Sequence, residues 1–143
     1  MSTGYPVALV AEADGLRAVV RDLPEVLTWG DDEAEALANA ADAIEVVLGA
    51  AMDEGRAVPE PSPPLHGERL VALPAQFAAK LAVWRLWHAS GLTKSAFARL
   101  LGVTETEARR ILDATHPTKL PTLEAAARAL GKRLVIGVED AAA

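Results

Sequence analysis

No cysteine occurs in the 143 residues, which removes disulfide scaffolds, thiolate metal sites and a cysteine nucleophile together. Aromatic side chains are scarce: three tryptophans, two phenylalanines and one tyrosine. No apolar run approaches the ~18 residues of a membrane helix. The opening MSTGYPVALV lacks a basic segment followed by an apolar stretch, so nothing there reads as a secretory signal. The expectation is a soluble, cytoplasmic chain with no membrane partner. Apolar residues make up 51%, but thirty of them are alanine. Two small cores are within reach, a single large one is not obvious, and disorder throughout is excluded. His66, His88 and His116 show no ligand spacing, so neither metal nor cofactor is expected.

What is present is a divided charge. The net charge of −6 argues by itself against nucleic acid, yet it hides two unlike halves. Residues 1–67 carry three arginines against thirteen acids, and residues 68–143 carry eleven lysines and arginines against seven acids. The halves are therefore −10 and +4, which points to a cationic partner for the first and a polyanion for the second. Drift between two solvated surfaces is the plainer alternative. Four of the nine prolines fall between Gly55 and Gly67. Prolines so dense favour an extended, semi-rigid arm. The division expected is 1–57, an arm at 58–73, and 74–143.

In the first part Tyr5, Val7 and Leu9 alternate with Pro6, Ala8 and Val10, the period of a half-buried strand. Asp14-Gly15 supplies a hairpin turn, and Leu16, Ala18 and Val20 resume the alternation. Leu23-Pro24-Glu25 breaks that strand, and Val26 to Trp29 can form a third, ended by Gly30. The period then changes: Ala34, Leu37, Ala41, Ile44, Leu48 and Ala51 make a helix from about 32 to 54, opened by Asp32 and Glu35 as an approximate capping box and stopped at Gly55. The order β-β-β-α, with room for a further strand, is an α+β layer.

In the second part Phe77, Leu81, Trp84 and Leu86 mark a helix over about 75–89, closed by Ser90-Gly91. Thr93 caps a helix with Phe97, Leu100 and Leu101 as its apolar stripe and Gly102 as its end. Thr104 caps the next, from Glu105 to Leu112. Two short helices joined by a glycine-containing turn form a helix-turn-helix, and small Ala98 lets them approach. Lys132-Arg133 is followed by Leu134, Val135, Ile136 and Val138, a β-branched run that reads as an edge strand. Pairing with a second copy would satisfy that edge and set two recognition helices one DNA turn apart. A dimer is expected, or a tetramer if the first domains also pair. Trp29, Trp84 and Trp87 read as core or interface residues.

Tyr5-Pro-Val-Ala-Leu-Val-Ala-Glu, then Asp14-Gly15, then Asp22-Leu-Pro-Glu-Val-Leu-Thr-Trp-Gly-Asp31, then Glu33-Ala-Glu-Ala-Leu-Ala-Asn-Ala40 resembles the HicB antitoxin family, and Val58-Pro-Glu-Pro-Ser62 resembles its exit from the helix. Val20-Arg21 and Glu25-Val26 depart from it, standing where the family often has aromatic-proline and glycine-cysteine. The resemblance implies a truncated RNase H-like fold and an acidic face that docks a small basic HicA-like ribonuclease toxin, with Asp22, Glu25, Trp29 and Asp31 as candidate contacts. A two-metal nuclease would need carboxylates converging on paired ions, whereas turn and cap positions account for Asp14, Asp22, Asp31, Asp32, Glu33 and Glu35. The chain is therefore not expected to be an enzyme.

Residues 75–136 resemble an Xre-type helix-turn-helix. Mapped by motif position, Thr104, Glu105, Thr106, Arg109 and Arg110 would face the major groove of operator DNA. Thr93, Lys94 and Ser95 would hold phosphate, and Lys119 would add a backbone contact. Glu105 either caps its own helix or accepts from a cytosine amino group, the former being preferred. A helical bundle kept for dimerisation alone is the plainer reading of this half. The functional expectation is an antitoxin that occludes its toxin and represses its own operon. A helix-turn-helix regulator whose first domain senses a small molecule is the alternative.

Overall fold

A computed structural model describes residues 4–141. The run from Tyr5 is a strand, but its burial does not alternate: Tyr5, Pro6 and Val7 are all buried, and Val10, Ala11 and Glu12 are all exposed. Strand β1 (Tyr5–Glu12) pairs antiparallel with β2 (Gly15–Val19), Ala8 opposite Val19 and Glu12 opposite Gly15. That register puts Ala13 and Asp14, not Asp14 and Gly15, at the turn. Gly15 begins β2 with φ of 137°, and a Cβ there would stand 2.5 Å from the Gly30 carbonyl oxygen, so only glycine fits. Strand β3 is Thr28–Gly30 rather than Val26–Trp29. The chain before it is bound into turns, Leu23 N–H donating to Val20 and Val26 N–H to Leu23. Both side chains are buried there.

Helix α1 (Glu33–Asp53) lies against the sheet. The Asp32 carboxylate accepts from Glu35 N–H at 2.8 Å, and Glu35 reaches back to Asp31 N–H at 3.3 Å. Its end is a Schellman closure: Arg56 N–H donates to Ala51 and Gly55 N–H to Met52, with Gly55 at φ of 68°. Ala36, Ala40, Ile44 and Leu48 are its buried stripe.

The proline-rich stretch is an arm fastened along its length, not a free connector. Ser62 donates from N–H and Oγ to Asp22, Tyr5 Oη donates to the Pro59 carbonyl at 2.6 Å, and Arg21 binds both the Pro63 carbonyl and Glu68. Arg69–Val71 then forms β4, pairing with Tyr5–Val7 to complete a four-stranded antiparallel sheet in the order β3-β2-β1-β4. The further strand thus comes from the end of the segment expected as an arm.

Four helices complete the chain: α2 (Ala75–Ser90), α3 (Lys94–Leu101), α4 (Glu105–Leu112) and α5 (Leu120–Ala129). The protein is α+β, a four-stranded antiparallel sheet and five helices among the described residues. Its apolar interior is one continuous cluster instead of two separate cores. It runs from Tyr5, Val7 and Ile44 through Leu73, Phe77, Leu81 and Trp84 to Phe97, Ile111 and Leu123. Helix α2 makes this possible by carrying apolar residues toward both parts. Arg85 on α2 also donates to the Pro59 carbonyl at 2.9 Å and pairs with Glu60 at 3.1 Å.

Residues Leu134, Val135, Ile136 and Val138 are not a strand within the chain. Gly131 and Lys132 close α5 by donating to Arg128 and Ala127, and residues 133–141 meet no neighbouring strand among the described residues. A strand needs a ladder partner. Leu134 packs partly on the core, while Val135, Ile136 and Val138 stay exposed.

Candidate nucleic-acid interface and partner-facing surface

Helices α3 and α4 owe their limits to local chemistry. Thr93 Oγ1 accepts from Ala96 N–H at 3.0 Å and Thr104 Oγ1 from Glu107 N–H at 3.1 Å, each satisfying an orphan donor. Gly102 at φ of 69° carries the turn, with Val103 N–H donating to Ala98. Ala108, Ile111 and Leu112 turn inward, which leaves Thr106, Arg109 and Arg110 exposed on α4. Thr93, Ser95 and Thr104 are exposed near the helix starts, Lys94 is half-buried, and Lys119 is exposed where α5 begins.

Glu105 lies in the first turn of α4. Its carboxylate accepts from Ser95 Oγ at 3.1 Å and from Arg109 Nη2 at 2.7 Å. These bonds, Arg109 first and Ser95 next, hold the carboxyl below the usual carboxylate range. Glu105 thus ties the start of α3 to α4 and aligns Arg109, while the capping falls to Thr104. Arg110 has no acidic partner among the described residues, which leaves its guanidinium able to meet an anion.

Lys80 is the residue that sequence reasoning missed. It is 1% exposed, and its Nζ donates to the Arg110 carbonyl at 2.9 Å, the His116 carbonyl at 2.7 Å and Thr118 Oγ1 at 2.7 Å. One ammonium therefore joins α2 to the end of α4 and to the loop beyond it. Burial lowers it from 10.5 to about 8, and Asp113 works against that shift. The signal was present: Phe77, Lys80, Leu81 and Trp84 fall at i, i+3, i+4 and i+7, so Lys80 stands on the buried stripe.

The four candidate partner contacts do not share one role. The Asp22 carboxylate is taken up by Ser62. Burial pushes that carboxyl up, and the two Ser62 bonds with nearby Arg21 bring it below its usual range. Asp22 fastens the arm. Glu25 and Asp31 are exposed before and after β3, and Trp29 is 46% exposed on that edge strand. Trp84 is core and stacks on His88 with ring centroids 4.7 Å apart. Among the described residues no three His, Asp or Glu side chains group so as to hold a metal ion. No helix there is long and apolar enough to cross a membrane.

Two family descriptions match the chain. Residues 4–82 match the family described as HicB_like antitoxin of bacterial toxin-antitoxin system, and residues 76–132 match a helix-turn-helix domain. The chain is 37% identical over 130 residues to Antitoxin HicB 2 of Photorhabdus laumondii subsp. laumondii, covering 91% of this chain and 92% of that protein. It is 35% identical over 121 residues to Antitoxin HicB of Pseudomonas fluorescens, covering 84% and 83% of the two. It is 32% identical over 131 residues to Antitoxin HicB of Escherichia coli K12, covering 91% and 95%. With a capped helix-turn-helix behind a sheet-and-helix unit of matching length, the chain belongs to the HicB-like antitoxin family and carries a DNA-binding domain in its second half.

Proposed function

We propose that the acidic first part binds and occludes a HicA-like, mRNA-cleaving ribonuclease toxin, and that the second part binds operator DNA and represses the operon encoding both. The chain performs no chemistry of its own and acts in the cytoplasm, where toxin and operator are found. The observation that carries this reading is the union of an acidic HicB-like half with α4, whose exposed face presents Thr106, Arg109 and Arg110. An RNA-cleaving toxin must attract phosphate, so an acidic surface competes for the face it uses. The first unit is read as a truncated RNase H-like fold. The exposed Val135, Ile136 and Val138 support dimerisation through residues 134–138, each copy giving the other the strand partner it lacks.

In this reading Arg110 and Arg109 reach base edges, Thr104 and Thr106 border them, and Thr93, Lys94, Ser95 and Lys119 hold backbone phosphates. Gel-shift titration of the chain against its own promoter duplex and an unrelated duplex tests it. The expected result is a preference for the promoter of at least about a thousandfold. Arg110→Ala is expected to weaken promoter binding by roughly 10- to 100-fold while leaving binding to the unrelated duplex closer to wild type. Equal affinity for both duplexes would contradict the operator role.

A further inference from the structure

The face of α1 turned away from the sheet is uncovered. Asp42, Val46, Gly49 and Asp53 fall at i, i+4, i+7 and i+11 and so lie on one stripe, opposite Ala40, Ile44 and Leu48. Val46 is 72% exposed in the middle of the helix. Two grooves meet along this stripe. One, of about 740 Å³, is walled on its far side by Pro74 and Phe77 and by the loop Ala114–Pro117 between α4 and α5. The other, of about 450 Å³, runs over Val26 and Leu27 toward β3, and Leu27 is 70% exposed. Asp42 and Val46 line both, so the grooves form one trough.

The trough is apolar along its floor and acidic at its rim, with no lysine or arginine among its lining residues. Several carboxylates elsewhere have an arginine partner, Glu12 with Arg17, Glu33 with Arg69, Glu54 with Arg56, Glu60 with Arg85 and Glu68 with Arg21, while others, such as Asp14 and Asp31, have none among the described residues. Glu25, Asp42, Glu45 and Asp53 have no ion pair among the described residues. An exposed apolar patch ringed by unmatched acids fits a cationic protein surface with apolar side chains at its centre.

The trough also crosses between the two halves. A Cβ placed on Gly49 would lie 3.5 Å from Ala114 Cβ, so α1 and the α4–α5 loop stand at van der Waals distance. The same loop is held from behind by Lys80, which also holds the Arg110 carbonyl. We infer that the trough is the seat of a cationic segment of the partner toxin, gripped by both halves, and that its occupancy is linked through the α4–α5 loop to operator binding. This rests on the toxin-binding reading above and fixes where that binding occurs. Linkage is reciprocal, so operator and toxin change each other's affinity by one factor.

The test is calorimetry of the full chain with the HicA-type toxin encoded beside it, its catalytic histidine replaced. Four proteins are compared: wild type, the triple variant Asp42→Lys/Glu45→Lys/Asp53→Lys, Thr115→Arg on the loop wall, and Asp14→Lys at the β1–β2 turn. The triple variant is expected to lose at least about 100-fold in affinity and Thr115→Arg about tenfold, with Asp14→Lys within about twofold of wild type. Toxin-loaded wild type is expected to bind operator with an affinity changed by at least about fivefold. Thr115→Arg leaves α1 untouched, so misfolding of the triple variant does not remove the test. Unchanged toxin affinity in the triple variant or in Thr115→Arg, an equal loss in Asp14→Lys, or an unchanged operator affinity would each overturn the inference. Failure of wild type to bind the toxin at all would instead overturn the proposed function.

Discussion

Replacing Gly30 by alanine is expected to destabilise the protein by at least about 3 kcal/mol, with a fall in melting temperature on the order of 10 °C. The added Cβ would stand 2.2 Å from Ala36 N and 2.6 Å from Ala36 Cα, both backbone atoms of the first turn of α1. Rotamer change cannot relieve such a clash. Either β3 leaves β2 or α1 leaves the sheet. The first breaks the pairing of Leu16 with Gly30, and the second pulls on the Asn39 bond to the Trp29 carbonyl. Gly137→Ala is the control, because nothing lies within 4 Å of its new methyl. Denaturant unfolding of both variants checks this, and a Gly30→Ala protein within about 1 kcal/mol of wild type would contradict the packing described.

Lys80 carries the second large effect. Lys80→Ala removes a buried aliphatic stem and leaves the Arg110 and His116 carbonyls without their shared donor, for an expected loss of about 3 kcal/mol or more. Lys80→Met refills the stem's volume but not the hydrogen bonds, so it is expected to recover part of that loss. Because α4 is held by this ammonium, both variants are expected to bind operator more weakly than their stability alone would dictate.

The same residue gives a pH signature. Its pKa is about 8 in the folded protein and near 10.5 when unfolded. Between those values the unfolded chain holds more protons than the folded one, so stability rises with pH across roughly pH 8 to 10.5. Below pH 8 both states hold the proton and this contribution is flat. Chemical denaturation from pH 7 to 10.5 is expected to show an upward slope approaching one proton in wild type, reduced by that amount in Lys80→Met. Parallel curves for the two would contradict the buried, proton-bearing role.

What the sequence revealed and what it hid separate by range of interaction. The limits of α3 and α4 were readable because Thr93, Gly102 and Thr104 act within four residues of themselves. The end of α1 was readable for the same reason, Gly55 closing against Met52. Composition gives the proline-rich arm its stiffness but does not show where it is attached. Its anchors, Asp22 to Ser62 and Tyr5 to Pro59, span 40 and 54 residues. Strand β4 has three residues, too few for any period, and exists through its pairing with Tyr5–Val7.

The candidate site divides in the same way. Exposure of Arg109 and Arg110 was legible from the inward stripe of Ala108, Ile111 and Leu112. The bridging of Ser95 to Arg109 by Glu105 crosses two helices and could not be read from either. The bonds from Ser62 to the Asp22 carboxylate join residues 40 apart, so no local pattern shows them. The terminal apolar run of residues 134–138 has strand composition, but composition cannot supply a neighbour, and none stands beside it among the described residues.

Under the proposed function, this chain silences a ribonuclease by covering it. The decisive assay is the rate of RNA cleavage by the active HicA-like toxin of that proposal, titrated with the purified chain at physiological salt. Cleavage is expected to fall linearly with added chain and to end at a fixed stoichiometric ratio, with inhibition weakening as salt is raised because the contact is between charges of opposite sign. Cleavage that continues undiminished with the chain in excess would contradict it.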